Sequence, residues 1–368
     1  TQASYLSIAK QISLGFLYWL QTEAPRDDGG KGYPELKMRE DVLQTGDGLS
    51  KHPYIRESRR IKALTTITEQ DIGVSTSTGP RAKIFKDSLG IGHYPIDIHG
   101  RQVAGAAQRT WPFQIPYGAL IPKDAENLLP ACKNIGVTHI TNGAYRLHPI
   151  EWSIGTAAGL LARYSLRHNL QAGKISKNIH HLIEIQRELA ENGNPLFWFD
   201  DVPTDHFAFA PIQMVSLYDL LPGDEDSLSF RPDDPLSRKQ AAHVLARLIK
   251  EKNAKSLFIA DIDEDSEDYQ AILEVVSAAL MTLDDYGNFN PEDLFSVGDF
   301  SICAKNRSFR LPRHQSIFID ALEADEETNG NEYVELTRAH FAQWLYAVVT
   351  YKKKWNDLAL RSLVKTSI

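Results

Sequence analysis

Cysteine is scarce in this chain: Cys132 and Cys303 are the only two in 368 residues, which excludes a disulfide framework and a cysteine metal site. The redox compartment stays open on that count. No run of 18 apolar residues occurs, and the longest candidates, residues 12–20 and 155–166, are too short and too polar for a transmembrane segment. Basic blocks are missing too. Nothing larger than the Lys352–Lys354 run appears, and a formal net charge of -8 argues against a nucleic-acid partner. No serine or cysteine stands in a G-x-S-x-G or Cys/His setting, and His180 and His181, adjacent on an expected helix, point in different directions. The acidic run at residues 261–268 lacks the glycine and the spaced closing glutamate of an EF-hand loop, so it reads as a solvated helix start. No metal site is expected. The chain begins at Thr1 with no Met, signal peptide or transit composition, as in a processed or incompletely represented protein.

With 42% hydrophobic, 10% aromatic and 24% charged residues, the composition is globular, with apolar surface enough for two or three domains. Residues 5–21 read as a helix, because Tyr5, Ile8, Ile12, Phe16, Leu17 and Leu20 fall at helical intervals before the Gly-rich cluster at 27–32. From 32 to 105 short extended pieces, such as 63–67 and 94–98, alternate with Gly, Pro and Ser, the pattern of a mixed sheet. Residues 114–121 and a strand-like 135–140 follow. A helix then runs from Pro149, which suits a first helical position, to about His168. Its Gly155, Ala158, Gly159 and Ala162 leave one face almost bare, for close packing on a sheet or for a ligand. Another helix spans 179–191.

Beyond it the sequence repeats. Val202, Ile212 and Leu220 align with Ile262, Ile272 and Leu280 at an offset of 60, while Phe230 and Pro232 align with Phe289 and Pro291 at 59. A partial third copy follows, since Glu335-Leu336-Thr337-Arg338 matches Pro235-Leu236-Ser237-Arg238 at an offset of 100.

Five ordered segments carry a resemblance: LGFLYWLQTEA near the start, DGLSKHPYIRESRRI, DSLGIGHYPIDIHG, QIPYGALIP, and the 33 residues from Asn127 to Gly159. Together, over residues 5 to about 166, they resemble a family of FAD-dependent oxidoreductases often labelled xanthan-lyase-like. Such proteins open with a strand, a G-x-G-x-x-G turn and a helix, and nothing before Asn127 has that spacing. The resemblance implies an α/β fold: a mixed sheet forming the C-terminal part of a Rossmann-type FAD-binding domain, with residues 127–159 as its last strand and helix, plus a substrate layer. It also implies FAD, if the site is complete, with the flavin pyrimidine edge at the start of that helix.

A helix N-terminus stabilises the negative charge of a reduced flavin, and the expected donors are the backbone groups of Ile150, Glu151, Trp152 and Ser153. Tyr145, Arg146 and His148 precede them, His139 ends the presumed strand, and Gly155 lies on the bare face. Arg146 adds charge to the cofactor edge or pairs with a carboxylate; Glu151 offsets the helix dipole. In the run 94–99 the alternation places Asp97 and His99 on one face, as a pair to take a substrate proton or as a structural pair. Arg56, Arg59 and Arg60 crowd five residues, so at most two share a site. Arg56, Arg59 and Tyr94 are the candidate substrate contacts, since arginine forks suit anionic or hydroxyl-rich groups.

The repeat unit FDDVPTDHFAFAPIQMVSLYDLLPGDEDSLSFRPDDPLSRKQAAHVLARL resembles the surface-layer homology (SLH) repeat, which implies an all-α module of helical repeats after the α/β part. The expected division is 1–170 for the oxidoreductase part, 171–195 for a linker helix, about 196–252, 256–306 and 308–350 for the repeats, and 351–368 for a tail. The resemblance further implies contact with cell-wall polymer, or with other protein subunits at an envelope or membrane-associated assembly. The location is then the cell envelope, with an organellar descendant as the alternative. The motif close to Thr-Arg-Ala-Glu reads Ser237-Arg238-Lys239-Gln240 and Thr337-Arg338-Ala339-His340, whereas copy two, Ser296-Val297-Gly298-Asp299, has no arginine. Trp198 and Phe207 are candidate docking anchors, with the repeat core as the favoured place for Phe207. Two hypotheses therefore leave the sequence: a flavin-dependent oxidoreductase with a docking module, or a non-catalytic scaffold that retains a flavoprotein-like fold.

Overall fold

The computed structural model describes residues 2–54, 59–77, 79–98, 107–249, 257–312 and 336–358. The chain divides into two compact units, Thr1–Ser58 and Arg59–Ile368. In the first, helix α1 (Gln2–Thr22) ends where Gly32, at φ 76°, lets the returning chain pass against the Gln21 carbonyl. A β-carbon there would lie 2.3 Å from that oxygen, so the turn requires glycine. A short helix α2 (Glu40–Leu43) follows, and Lys10 pairs with Asp47 across the unit.

The second unit opens with a one-turn helix α3 (Glu69–Ile72), capped by Thr68 and Asp71. Its sheet, among the described residues, has two antiparallel strands, β1 (Ser88–Gly92) and β2 (Phe113–Pro116), paired as Ser88 with Pro116 and Gly92 with Phe113. Elsewhere the extended pieces make single bridges, Ala63 with Pro122, Ile67 with Val137 and Ile96 with Gln108. The expected strand at 135–140 is one such bridge. The chain leaves it at Thr138, whose hydroxyl accepts from the Thr141 N–H (3.0 Å) while the Thr141 hydroxyl accepts from the Thr138 N–H (2.9 Å). This reciprocal cap starts helix α4 (His139–Tyr145) and outweighs the β-propensity of Val137, Thr138 and Ile140.

Helix α5 (His148–His168) lies across β1 and buries Ile150, Ile154, Ala157, Ala158 and Leu161. The close approach is made by the strand rather than by the helix. A β-carbon on Gly90 would meet Ser153 Oγ at 2.3 Å, and one on Gly92 would meet Phe113 Cε2 at 2.7 Å and Ile150 Cγ1 at 2.9 Å. Of the bare helix face, Ala158 is buried but the rest opens outward: Gly159 has nothing within 4 Å, Ala162 is exposed, and Gly155 has only the Ala131 carbonyl at 3.3 Å. Helix α6 (Ile179–Glu191) covers the other side, where buried Gln186 donates to the carbonyls of Lys86 (2.9 Å) and Ser88 (3.0 Å). α6 also packs on α7 (Phe209–Leu217), so the sequence boundary near residue 170 falls inside this unit.

The remaining α-helices among the described residues are α8 (Arg238–Leu248), α9 (Tyr269–Ser277), α10 (Val297–Lys305) and α11 (Arg338–Tyr351). The duplication is visible atom by atom. Asp201 accepts from the N–H groups of Phe230 and Arg231, and Asp261 does the same for Phe289 and Asn290. Left-handed residues recur at Asp219 and Ala279, then at Arg231 and Asn290. One contact between copies recurs: Arg238 lies 4.8 Å over the Phe289 ring and donates to the Phe289 carbonyl (2.8 Å) and the Thr282 carbonyl (2.7 Å). Arg338 lies 4.8 Å over Phe230 and donates to the carbonyls of Phe230 (2.9 Å) and Pro222 (2.7 Å). Copy three thus grips copy one, and copy one grips copy two. Copy one is also tied to the α/β part, because the Arg81 guanidinium sits over the Phe197 and Phe199 rings (4.8 and 5.0 Å) and donates to the Trp198 carbonyl (2.6 Å).

Two expectations follow. Gly92→Val should destabilise the unit by about 1–3 kcal/mol, as overpacking of a filled core does, and a denaturant midpoint equal to wild type would refute the α5 packing. Arg238→Ala and Arg338→Ala should each cost about 1.5–3 kcal/mol through lost charge-assisted hydrogen bonds, whereas the exposed Lys353→Ala should change the melting temperature little.

Candidate active site

The turn between α4 and α5 gathers the chemistry. Helix α5 starts at His148 with Leu147, extended at φ -80° and ψ 142°, in the N-cap position and without a side-chain cap. Pro149 has no N–H, and the Glu151 N–H already bonds the Leu147 carbonyl at 2.8 Å. The open donors are therefore the N–H groups of His148 and Ile150, not the Ile150 to Ser153 set expected from sequence. The helix begins one residue earlier than Pro149, which draws Glu151 into the ladder, and Trp152 and Ser153 fall within its i→i−4 bonding in any case.

Arg146 stands at the C-cap of α4 and is only 6% exposed. Its Nη2 donates to the Asp97 carbonyl (2.9 Å) and carboxylate (3.1 Å), while Nε is buried without a hydrogen-bond partner. The contact is possible because Gly143, on the previous turn, lies directly under the Asp97 backbone: a β-carbon there would be 2.6 Å from the Asp97 oxygen. Two sequence candidates of different assigned roles, Arg146 and Asp97, are thus one ion pair. One turn before Arg146, Asn142 is fully buried; its Nδ2 donates to the Lys133 carbonyl (2.8 Å), and its Oδ1 has no partner.

The other candidates separate. Tyr145 is wholly buried, donates to the Gln114 carbonyl (2.7 Å) and packs on Phe113 at 4.3 Å, so its phenol, pushed far up by burial, belongs to the core. His139 is exposed on the first turn of α4, since the strand that would have ended there is absent, and His148 is exposed at the start of α5. Trp152 is 79% exposed, whereas Ser153 faces Gly90 and Ile150 faces Gly92. Glu151 accepts from the Cys132 thiol at 3.0 Å, and burial together with that carboxylate raises the thiol's pKa. Gly155 adjoins the Ala131 carbonyl. Arg59 is exposed; Tyr94 is half-buried, with its carbonyl accepting from the Thr110 hydroxyl (2.9 Å). Arg56 and His99 lie outside the described residues.

Residues 2–189 match the sequence model of the FAD dependent oxidoreductase family. The chain belongs to this family. Residues 199–242 match the S-layer homology domain, in the order expected from sequence. No curated protein and no solved structure matches the chain. No group of His, Cys, Asp and Glu suited to a metal ion occurs among its described residues, and none of their helices is long and apolar enough to cross a membrane.

In the repeat module a cavity of about 410 Å³ opens between the copies, with Arg231, Lys239, Arg247 and Arg338 set against Asp224 and Asp268. Trp198 is half-buried and donates to Asp200 (2.6 Å). Phe207, expected in the repeat core, is instead 56% exposed, its ring 4.7 Å from His206 and 5.4 Å from His340. The helix after it begins at Phe209, so Phe207 sits on the preceding loop. Sequence reading passed over Asn142 and Gly143; the signal was Thr138-x-x-Thr141, which starts a helix and sets Asn142 one turn from Arg146.

Asp97→Asn should destabilise the protein by about 1–3 kcal/mol, the usual loss of a hydrogen bond to a charged group, by leaving the buried Arg146 charge without its counter-ion. A thermal melt unchanged from wild type would show that the pair contributes nothing.

Proposed function

We propose that this chain supplies the flavin-closing layer of an FAD-dependent oxidoreductase and carries a repeat module that attaches it at a cell envelope. The buried Arg146 guanidinium, fixed on Asp97 at the turn into the 21-residue α5, is the observation that carries the reading. Reduction of a flavin builds negative charge along its N1 and C2 carbonyl edge, and a helix N-terminus favours such charge by about 0.3–1 kcal/mol when exposed and up to about 2 kcal/mol when partly buried. A desolvated guanidinium adds more, because water does not screen it. The residues present fit the group: an unpartnered buried Arg146 Nε and the open amides of His148 and Ile150 are donors without acceptors. FAD, when bound, supplies the hydride-accepting chemistry.

On this reading Arg146 and the α5 amides hold the pyrimidine edge. Asp97, oriented by Arg146, accepts from a substrate hydroxyl or amine with His99 two residues on in sequence, and Arg59 and Tyr94 contribute to the substrate side. His139 and Trp152, exposed on their helices, are available to the ring system, as is Gly155 on the open face of α5. The S-layer homology match supports an envelope location and attachment to surface or wall polymer, with the charged cavity between the copies as the place of contact. The organellar alternative has no support from the comparisons.

A scaffold role is the second reading, favoured by the eroded repeats, whose second copy reads Ser296-Val297-Gly298-Asp299 with no arginine. A visible spectrum separates the two. The purified chain mixed with FAD should retain yellow colour through gel filtration, and Arg146→Ala should lose it while remaining folded by circular dichroism. Colourless wild-type protein would move the assignment to the scaffold.

A further inference from the structure

We infer that Asn142 reads the N3–H of a flavin, and that Asn142 and Arg146 together form a two-point recognition site for its uracil-type edge. The inference rests on the proposed flavin reading. Asn142 is 0% exposed and Arg146 6%, yet each leaves one polar atom unpaired: an acceptor, Oδ1, on Asn142 and a donor, Nε–H, on Arg146. Buried polar atoms are almost always paired, because an unpaired one forfeits its hydration. Here two unpaired atoms occur four residues apart, at the spacing that puts side chains on the same helical face.

Both side chains are held by their other atoms. Asn142 Nδ2 donates to the Lys133 carbonyl (2.8 Å), which also assigns Oδ1 as the free end, and Arg146 Nη2 is fixed on Asp97. Neither group can swing away to find another partner without breaking those bonds. The pair offers one acceptor and one donor from positions one helical turn apart. Its complement is a cyclic imide, in which an N–H lies next to a carbonyl. The flavin presents that sequence at N3–H and its flanking carbonyls, and so does uridine. The flavin is the occupant chosen, because Arg146 leads directly into α5, whose open amides at His148 and Ile150 extend the donor row along the same edge.

The test titrates the full chain with riboflavin, 3-methylriboflavin and uridine, following flavin fluorescence or, for uridine, calorimetry. Wild type should bind riboflavin at least about tenfold more tightly than 3-methylriboflavin, as expected when a buried acceptor loses its donor, with uridine weaker than both. Asn142→Ala should bind the two flavins alike. If wild type binds riboflavin and 3-methylriboflavin equally, the Asn142 assignment is overturned while the flavin reading stands. Preferential binding of uridine overturns the flavin as occupant. No binding of any flavin overturns both. Should Asn142→Ala unfold, the wild-type comparison of the two flavins decides alone.

Discussion

Everything at the candidate site depends on how closely α5 can lie on β1. The distance is set by the strand, where Gly90 and Gly92 present backbone to Ser153 and Ile150. That contact fixes the start of α5, and the chain immediately before it is therefore fixed as well. Arg146 is held where its guanidinium meets Asp97, a residue 49 positions earlier. A larger side chain on either strand glycine lifts the helix and moves the cation at its head, so packing and electrostatics at this turn are one constraint. The same logic holds at Gly143, where the missing side chain lets the Asp97 backbone rest on α4.

Much of the fold was legible, for a physical reason. Helix α6 was read to the residue, and α5 was read to within one, because apolar residues at helical spacing, a proline at the start and polar stops act locally. Residues 135–140 misled for an equally local reason. β-branched side chains favour extension, but the hydroxyls of Thr138 and Thr141 satisfy each other's N–H groups and begin a helix. The small residues of α5 left two readings open, for a different reason. A glycine marks a close approach only when something approaches, and whether the partner is the strand or solvent is a tertiary fact.

The site was legible in parts and not as a whole. Arg146, Asp97 and the start of α5 could each be singled out from residue type and position. That the first two form one pair, that Tyr145 turns into the core, and that Asn142 keeps an unpaired oxygen depend on contacts between distant segments. The repeats show the opposite case. Offsets of 60, 59 and 100 in sequence reappear as identical carboxylate forks, left-handed turns and arginine joints, since a duplicated sequence repeats its local physics.

The arginine joints also decide how the molecule carries load. Copy three grips copy one through Arg338, copy one grips copy two through Arg238, and Arg81 fastens copy one to the α/β part. Copy one is thus joined to both others, and copies two and three also touch directly, Phe341 5.4 Å from Phe295 and Trp344 5.2 Å from Phe300, so the three close into a ring of joints. Copy three also reaches α6 without passing through copy one, because Arg187 Nε donates to the Tyr346 hydroxyl (3.2 Å), which donates in turn to Glu191. Wherever the repeats are held, the helix that begins at His148 is held at a set attitude to that surface. The repeats and α5 thus belong to one body rather than to two beads on a thread.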